Sequence, residues 1–278
     1  MSELTEPITG TRLQVVLPDE SPEMPPRTLT DLGVRAEELG VDAVWLPDHL
    51  LPPAPYGTTF GGVYEPLVTL AHLAARTTRI RLGTSVLVAP LRDPLVLAKQ
   101  AATLDALSGG RFVLGVGVGW SEEEFAAVGA DFATRGARTD ETLRLLRQLF
   151  GGGGPFEGRV HSYGSGVFEP RPARPVPVMV GGTSDRALRR AAEWGDEWQG
   201  VGLTAEKFVA ARNRLRCLTD RPVRSGTRIA WSGDEEGFGR AVELFRELTA
   251  AGADSVAVWF GDAEGFGGRM ERFVAALR

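Results

Sequence analysis

The sequence predicts an α/β protein folded as a (β/α)8 TIM barrel, and three observations carry that expectation. Eight short apolar runs alternate with segments of helical periodicity along 278 residues. The runs are almost continuously apolar, as parallel strands covered by helices must be. No G-x-G-x-x-G turn follows the first strand, where an open dinucleotide-binding sheet would place it; the one similar run, Gly115-x-Gly117-x-Gly119, is spaced differently and follows the fourth strand. A chain of this length with 43% hydrophobic residues can bury one large core. We therefore read residues 1–278 as a single domain with an inserted segment at 151–176.

The elements follow in order. Residues 13–17 form an apolar run closed by Pro18, and Leu29, Leu32, Ala36 and Leu39 then recur at helical spacing before Gly40. The unit repeats with a strand at 43–46, a Pro/Gly-rich loop and a helix at 65–75. A third strand spans 80–88. Its helix opens on Pro94, where a missing N–H costs nothing, carries Leu97, Ala101 and Leu104 on one face and stops at Gly109-Gly110. A strand at 112–116 and a helix at 138–150 complete the fourth unit.

Four glycines at 151–154 and prolines at 155, 170, 172, 175 and 177 mark the inserted segment, with a short hairpin expected at 160–168. The pattern restarts with a strand at 178–180 and a helix capped by Thr183 or Ser184. A strand at 198–201, a helix opened by Thr204 and a strand at 228–231 follow. Ser232 with Glu235 reads as a capping box for the next helix, and a strand at 255–260 and a helix at 265–277 end the chain.

Composition narrows the function. A net charge of −5 argues against a nucleic-acid surface, which needs clustered arginine and lysine. The single cysteine, Cys217, excludes an internal disulfide framework and falls in a helical pattern as a buried spacer. Residues 1–10 lack the basic flank and apolar run of a signal peptide, and no stretch approaches the ~18 apolar residues of a membrane span. The expected setting is the cytoplasm, with a small-molecule substrate.

In such a barrel chemistry collects where strands end. Asp48-His49 follows the second strand, Thr84-Ser85-Val86 lies within the third, Gly117-Val118-Gly119-Trp120 follows the fourth and Gly181-Gly182-Thr183-Ser184 the fifth. A histidine beside an aspartate at a rim can titrate near neutral pH and suits proton transfer. His72 sits on an apolar helical face and His161 in the inserted segment, so a three-histidine metal centre is not expected. The 181–184 turn offers backbone N–H groups at a helix start, which fits either a phosphate site or an ordinary capped loop. Glu122, Glu123 and Glu124 fit the solvated first turn of a helix.

Several runs taken together, in their order and spacing, resemble the bacterial luciferase-like oxidoreductase family: residues 40–49, Arg79 to Val86, Leu104 to Phe112, Gly115 to Trp120, Arg135 to Glu141, Gly181 to Ser184 and Gly195 to Trp198. They cover most of residues 12–202. Within that family the Asp48-His49 pair resembles the branch that uses the deazaflavin coenzyme F420, with FMN as the alternative cofactor. The resemblance implies a cis peptide at Ser85-Val86, in a bulge beneath the cofactor ring formed by Thr84, Ser85 and Val86. It also implies phosphate binding by Gly181, Gly182, Thr183 and Ser184, a ring edge near Asp48 and catalytic His49, cofactor contact by Gly117 and Gly119 where the chain borders the substrate side, Trp120 on that substrate side, and a homodimer. Related sugar-phosphate dehydrogenases carry an acid where this chain has Trp120, which points away from a sugar phosphate and toward an apolar or aromatic substrate.

The leading reading is hydride transfer between F420 and a small organic substrate. The alternatives are an FMN-dependent monooxygenase using oxygen and a non-catalytic flavin or deazaflavin carrier. A barrel glycosidase needs two carboxylates about 5–10 Å apart across the pocket, and Trp120 and Ser232 stand where the partner of Asp48 would be required.

Overall fold

The computed structural model describes residues 10–18, 23–51 and 64–278. The expectations for residues 1–9 and for the part of the Pro/Gly-rich loop at 52–63 lie outside the described residues. The chain begins with β1 (Arg12–Val16), α1 (Arg27–Glu38), β2 (Ala43–Leu46), α2 (Pro66–Arg76), β3 (Arg81–Thr84), β4 (Leu87–Val88) and α3 (Pro94–Ser108). It continues through β5 (Phe112–Gly117), α4 (Glu122–Ala127), α5 (Arg135–Gly151), the hairpin strands β6 (Phe156–Glu157) and β7 (Ser162–Tyr163), β8 (Val178–Gly181) and α6 (Asp185–Trp194). β9 (Glu197–Val201), α7 (Ala205–Arg216), β10 (Arg224–Ala230), α8 (Glu235–Ala250), β11 (Ser255–Trp259) and α9 (Phe266–Leu277) complete it.

All barrel pairings are parallel. The order β3-β2-β1-β11-β10-β9-β8-β5-β4 closes through β3–β5, with β3 and β4 acting as one interrupted stave, so the sheet is an eight-stave barrel. Alternation along each strand splits the apolar residues into two sets. Val15, Val44, Leu82, Leu114, Val180 and Val258 join the large core between barrel and helices. Val16, Ala43, Trp45, Val113, Met179 and Ala257 form a smaller cluster with Val86 and Trp259.

The amino-terminal end of the barrel is ionic. Glu197 accepts from Arg81 and from Arg224 Nη2 at 2.6 Å, and Arg81 Nη1 also donates to Asp42 Oδ2 at 3.3 Å. Burial disfavours the Arg81 charge, yet Glu197 and Asp42 outweigh it and raise its pKa. This plug leaves the carboxyl ends of the strands as the open mouth.

Helix boundaries follow local chemistry. In α3, Asp93 accepts the N–H groups of Leu95 and Val96 at 2.9 Å each, Pro94 opens the first turn, and left-handed Gly109 ends the last. Four expectations need correction. The hairpin pairs Phe156 with Tyr163 and not residues nearer 168, because the Glu141 carboxylate accepts the N–H groups of Arg159, Val160 and His161 and holds that stretch as the turn. Asp234 caps α8 in place of Ser232; the Trp231 indole donates to the Asp234 carbonyl at 2.8 Å and delays the helix start. Cys217 is exposed at the end of α7, whose buried positions are Phe208 and Leu215. The third strand breaks after Thr84. Among the described residues no helix is long and apolar enough to cross a membrane, and no group of three metal-ligating side chains converges.

Candidate active site

A cavity of about 570 Å³ opens at the carboxyl ends of the strands. Its wall takes Asp48 and His49 from the end of β2, Ser85 and Val86 from the break between β3 and β4, and Gly117 to Trp120 from the end of β5. Gly181 at the end of β8 with Gly182 after it, Gln199 in β9, Arg228 in β10 and Trp259 in β11 close the ring. Of the rim residues singled out in the sequence, Thr84, Thr183 and Ser184 do not line it. Thr84 is fully buried and donates its hydroxyl to the Gly115 carbonyl at 2.7 Å. Ser184 Oγ accepts the Ala187 N–H and caps α6, and Thr183 is exposed.

The break after β3 contains a cis peptide between Ser85 and Val86. The Ser85 N–H donates to the Leu46 carbonyl of the neighbouring β2 at 2.8 Å and its hydroxyl to Gln199 Oε1 of β9 at 2.7 Å, which ties the bulge to an adjacent strand and to one farther round the barrel. Val86 projects between two glycines. A Cβ on Gly117 would stand 2.4 Å from Val86 Cγ2, and one on Gly181 would stand 2.6 Å from Cγ1. No real Cβ approaches another carbon so closely, so these two glycines are required by the valine as much as by anything in the cavity.

Asp48 is spoken for within the protein. Its side chain is fully buried, accepts the Val88 N–H at 2.8 Å and pairs with Arg92 Nη2 at 2.6 Å. Arg92 also reaches Glu65 Oε1 at 2.9 Å. Asp48 thus fixes β4 against the end of β2, and the sequence offered no sign of its partner.

The larger correction concerns Glu124. Glu122 and Glu123 are exposed as expected, but Glu124 is 2% exposed and its Oε2 stands 2.9 Å from His49 Nδ1. Its other oxygen accepts the Leu51 N–H at 3.0 Å. Ser121 caps α4 by accepting the Glu124 N–H, and the glutamate at this third helical position turns back off the helix. Here it crosses to the β2 loop. A carboxylate only accepts, so His49 Nδ1 carries the proton of this bond. Trp120 is 46% exposed at the rim and meets the His49 ring edge-on, with centroids 5.7 Å apart.

Gln199, Arg228 and Trp259 carry no signal in the sequence, since nothing local sets them apart from other strand residues. The Trp259 indole N–H is buried without a hydrogen-bond partner among the described residues. It supplies an uncommitted donor in a wall that is otherwise apolar at Val16, Val86, Val88 and Ile229.

Comparison with known proteins follows the same outline. The model of the family described as luciferase-like monooxygenase matches residues 9–230. An F420-dependent glucose-6-phosphate dehydrogenase of Kineococcus radiotolerans is 37% identical over 196 residues, 67% of this chain and 57% of that protein. One from Amycolatopsis mediterranei is 35% identical, across 67% of this chain and 58% of that protein. The chain thus spans less than two thirds of the length of these relatives. Among solved structures, an F420-dependent secondary alcohol dehydrogenase in complex with an F420-acetone adduct superposes with a TM-score of 0.80 at 16% identity, covering 96% of this chain and 99% of the other. A monooxygenase from Streptomyces bottropensis gives 0.77 at 22%, covering 96% and 98%. These two likenesses concern the fold.

Proposed function

The chain belongs to the luciferase-like monooxygenase family, and from that premise we propose that it is an oxidoreductase exchanging a hydride between coenzyme F420 and a small, largely apolar organic substrate. The observation that carries this reading is the buried His49–Glu124 pair beside the Ser85-Val86 bulge, which sets a proton-handling group next to a flat apolar wall. The F420-dependent relatives support the choice of deazaflavin over FMN.

The residues present fit such a cofactor. Val86 and Ile229 offer an apolar support for a flat ring, and the Trp259 indole N–H offers a donor to a polar ring edge. Gly181 and Gly182 before α6 would take the phosphate; Asp185 in the first turn of that helix is already paired with Arg214, which offsets its charge. When bound, the deazaflavin supplies the hydride acceptor or donor. Glu124 orients the imidazole of His49 through Nδ1, and His49 is the group that would take a proton from the substrate or return it. Asp48 and Arg92 hold β4 and so fix the bulge from behind. Trp120 shields the outer edge of His49.

An apolar substrate is favoured over a sugar phosphate by the charge of the wall. Arg228 is the one arginine or lysine among the described lining residues, and residues 52–63 contain neither lysine nor arginine. A glycosidase is disfavoured because Asp48 and Glu124 are both engaged inside the protein.

Titration of the cofactor-free protein with F420 and, separately, FMN tests the cofactor, and tight FMN binding without F420 binding overturns it. Stopped-flow oxidation of bound reduced F420 across a substrate panel tests catalysis; no acceleration by any compound identifies a carrier. His49→Ala should lower turnover by about 10²–10⁴-fold, the usual range for a general acid or base, with a much smaller loss of cofactor affinity. Equal losses in both would assign His49 to binding. The same reading carries a homodimer, measurable by sedimentation.

A further inference from the structure

A second cavity, of about 540 Å³, lies away from the mouth, outside the barrel wall near the start of β8. Leu146 and Phe150 of α5 and the segment at 172–176 give it an apolar lining, and Trp194 at the end of α6 stands at its side. Three features make it more than a packing gap. The Trp194 indole N–H is buried and has no hydrogen-bond partner among the described residues. The Arg147 guanidinium lies over the Trp194 ring, 4.8 Å from its centroid. Arg174 enters from the 172–176 segment.

Arg147 and Arg174 are both solvent-exposed residues of the cavity's lining. Its one acid, Asp196, accepts the Val178 N–H at 2.9 Å and lies 3.7 Å from Arg221, so its charge is already answered elsewhere. Arg174 acts on the Asp105 carboxyl, but burial raises that group and the two form no ion pair among the described residues. A buried donor without a partner is costly, so the Trp194 N–H favours an acceptor. Two exposed guanidinium groups and a buried indole N–H beside an apolar wall match an acceptor that carries negative charge and has a hydrocarbon body.

We propose that this cavity is a second small-molecule site, taking an apolar monocarboxylate whose hydrocarbon part lies against Leu146 and Phe150. Arg147, Arg174 and the Trp194 indole N–H are its donors. An inorganic anion would leave the apolar wall unfilled, and a hydrocarbon would leave the Trp194 N–H without an acceptor. The inference stands apart from the cofactor assignment because neither cavity shares a lining residue with the other.

The test uses the full chain labelled with ¹⁵N and titrated with 4-phenylbutanoate, following the indole N–H signals by NMR. Trp194→Phe assigns its signal by deletion. The expected result is a saturable shift of the Trp194 signal, with the alcohol 4-phenylbutan-1-ol binding about two- to fivefold more weakly, the range that pairing with exposed arginines gives. The double variant Arg147→Ala with Arg174→Ala should lose a similar factor. No shift at Trp194, equal binding of the alcohol, or unchanged affinity in the double variant would each overturn the site. The comparison of acid with alcohol needs only the unmodified protein, so it decides the matter even if the double variant folds poorly.

Discussion

Replacing Glu124 by Gln keeps the size of the side chain and removes the charge that faces His49. The two side chains are 3% and 7% exposed, so water cannot replace the lost contact. One amide oxygen cannot accept from both the Leu51 N–H and His49 Nδ1, which the two carboxylate oxygens now serve at 3.0 and 2.9 Å. If the oxygen stays with Leu51, the amide NH2 faces Nδ1 and forces the imidazole proton to the other nitrogen. Hydrogen bonds to charged groups contribute about 1.5–3 kcal/mol. At 1.36 kcal/mol per decade, that predicts a fall in turnover of roughly 10- to 150-fold. F420 affinity should change by less than about threefold, because Glu124 is not a lining residue of the cavity. The assay is single-turnover oxidation of reduced F420, with affinity measured by titration. A Glu124→Gln variant that turns over within about twofold of the parent would refute the reasoning. So would a loss that adds in full to that of His49→Ala, since residues acting as a unit are not additive.

Three further outcomes follow from the same geometry. Gly117→Ala sets a methyl 2.4 Å from Val86 Cγ2 and should cost about 1–3 kcal/mol of stability by overpacking; adding Val86→Ala should recover part of it in a denaturant titration, and no recovery would reject the clash. Asp48→Asn breaks a pair whose acid is fully buried and whose Arg92 is 11% exposed, so the unfolding free energy should fall by about 3–5 kcal/mol; a loss below about 1 kcal/mol would show the pair to be idle. For Glu141, burial opposes ionisation, but the N–H groups of His161, Arg159 and Val160 outweigh it and lower the folded pKa. Its stabilisation is therefore complete above the ordinary carboxylate range and fades as pH falls through the lowered value. Glu141→Gln should flatten that acid-side slope in thermal melts, and an unchanged slope would assign the effect to other carboxylates.

Much of the fold is legible along the chain because the signals are local. Strand and helix alternation, Pro94 and Gly109 around α3, and the Ser184 cap depend on neighbours a few residues apart. The cap of α8 lies two residues beyond its sequence signature because the Trp231 side chain, not the capping pattern, decides where the helix begins. The hairpin is displaced for a like reason: Glu141, 18 to 20 residues upstream, chooses which residues turn. Gly117 and Gly181 stand out in the sequence as points of close approach by a ligand, and the structure adds close approach by Val86.

Glu124 marks the limit of sequence reading at the site. The Ser121-x-x-Glu124 spacing announces a helix start and a carboxylate that folds back, yet its partner His49 is 75 residues away. Asp48 and Arg92, 44 residues apart, are equally beyond local pattern.

By itself the sequence determined the periodicities that make eight staves and their helices, the family to which those motifs belong, and the rim positions where chemistry collects. Those depend on side-chain size, polarity and backbone freedom at short range. Only the tertiary structure decided which rim side chains stay available to a ligand. Closing the barrel pairs Asp48 with Arg92 at the cavity wall, commits Thr84 to a hydrogen bond and Ser184 to a cap, and brings a helix-start glutamate to His49. A buried polar group must find a partner wherever the fold supplies one, and that partner is set by distance in space rather than along the chain.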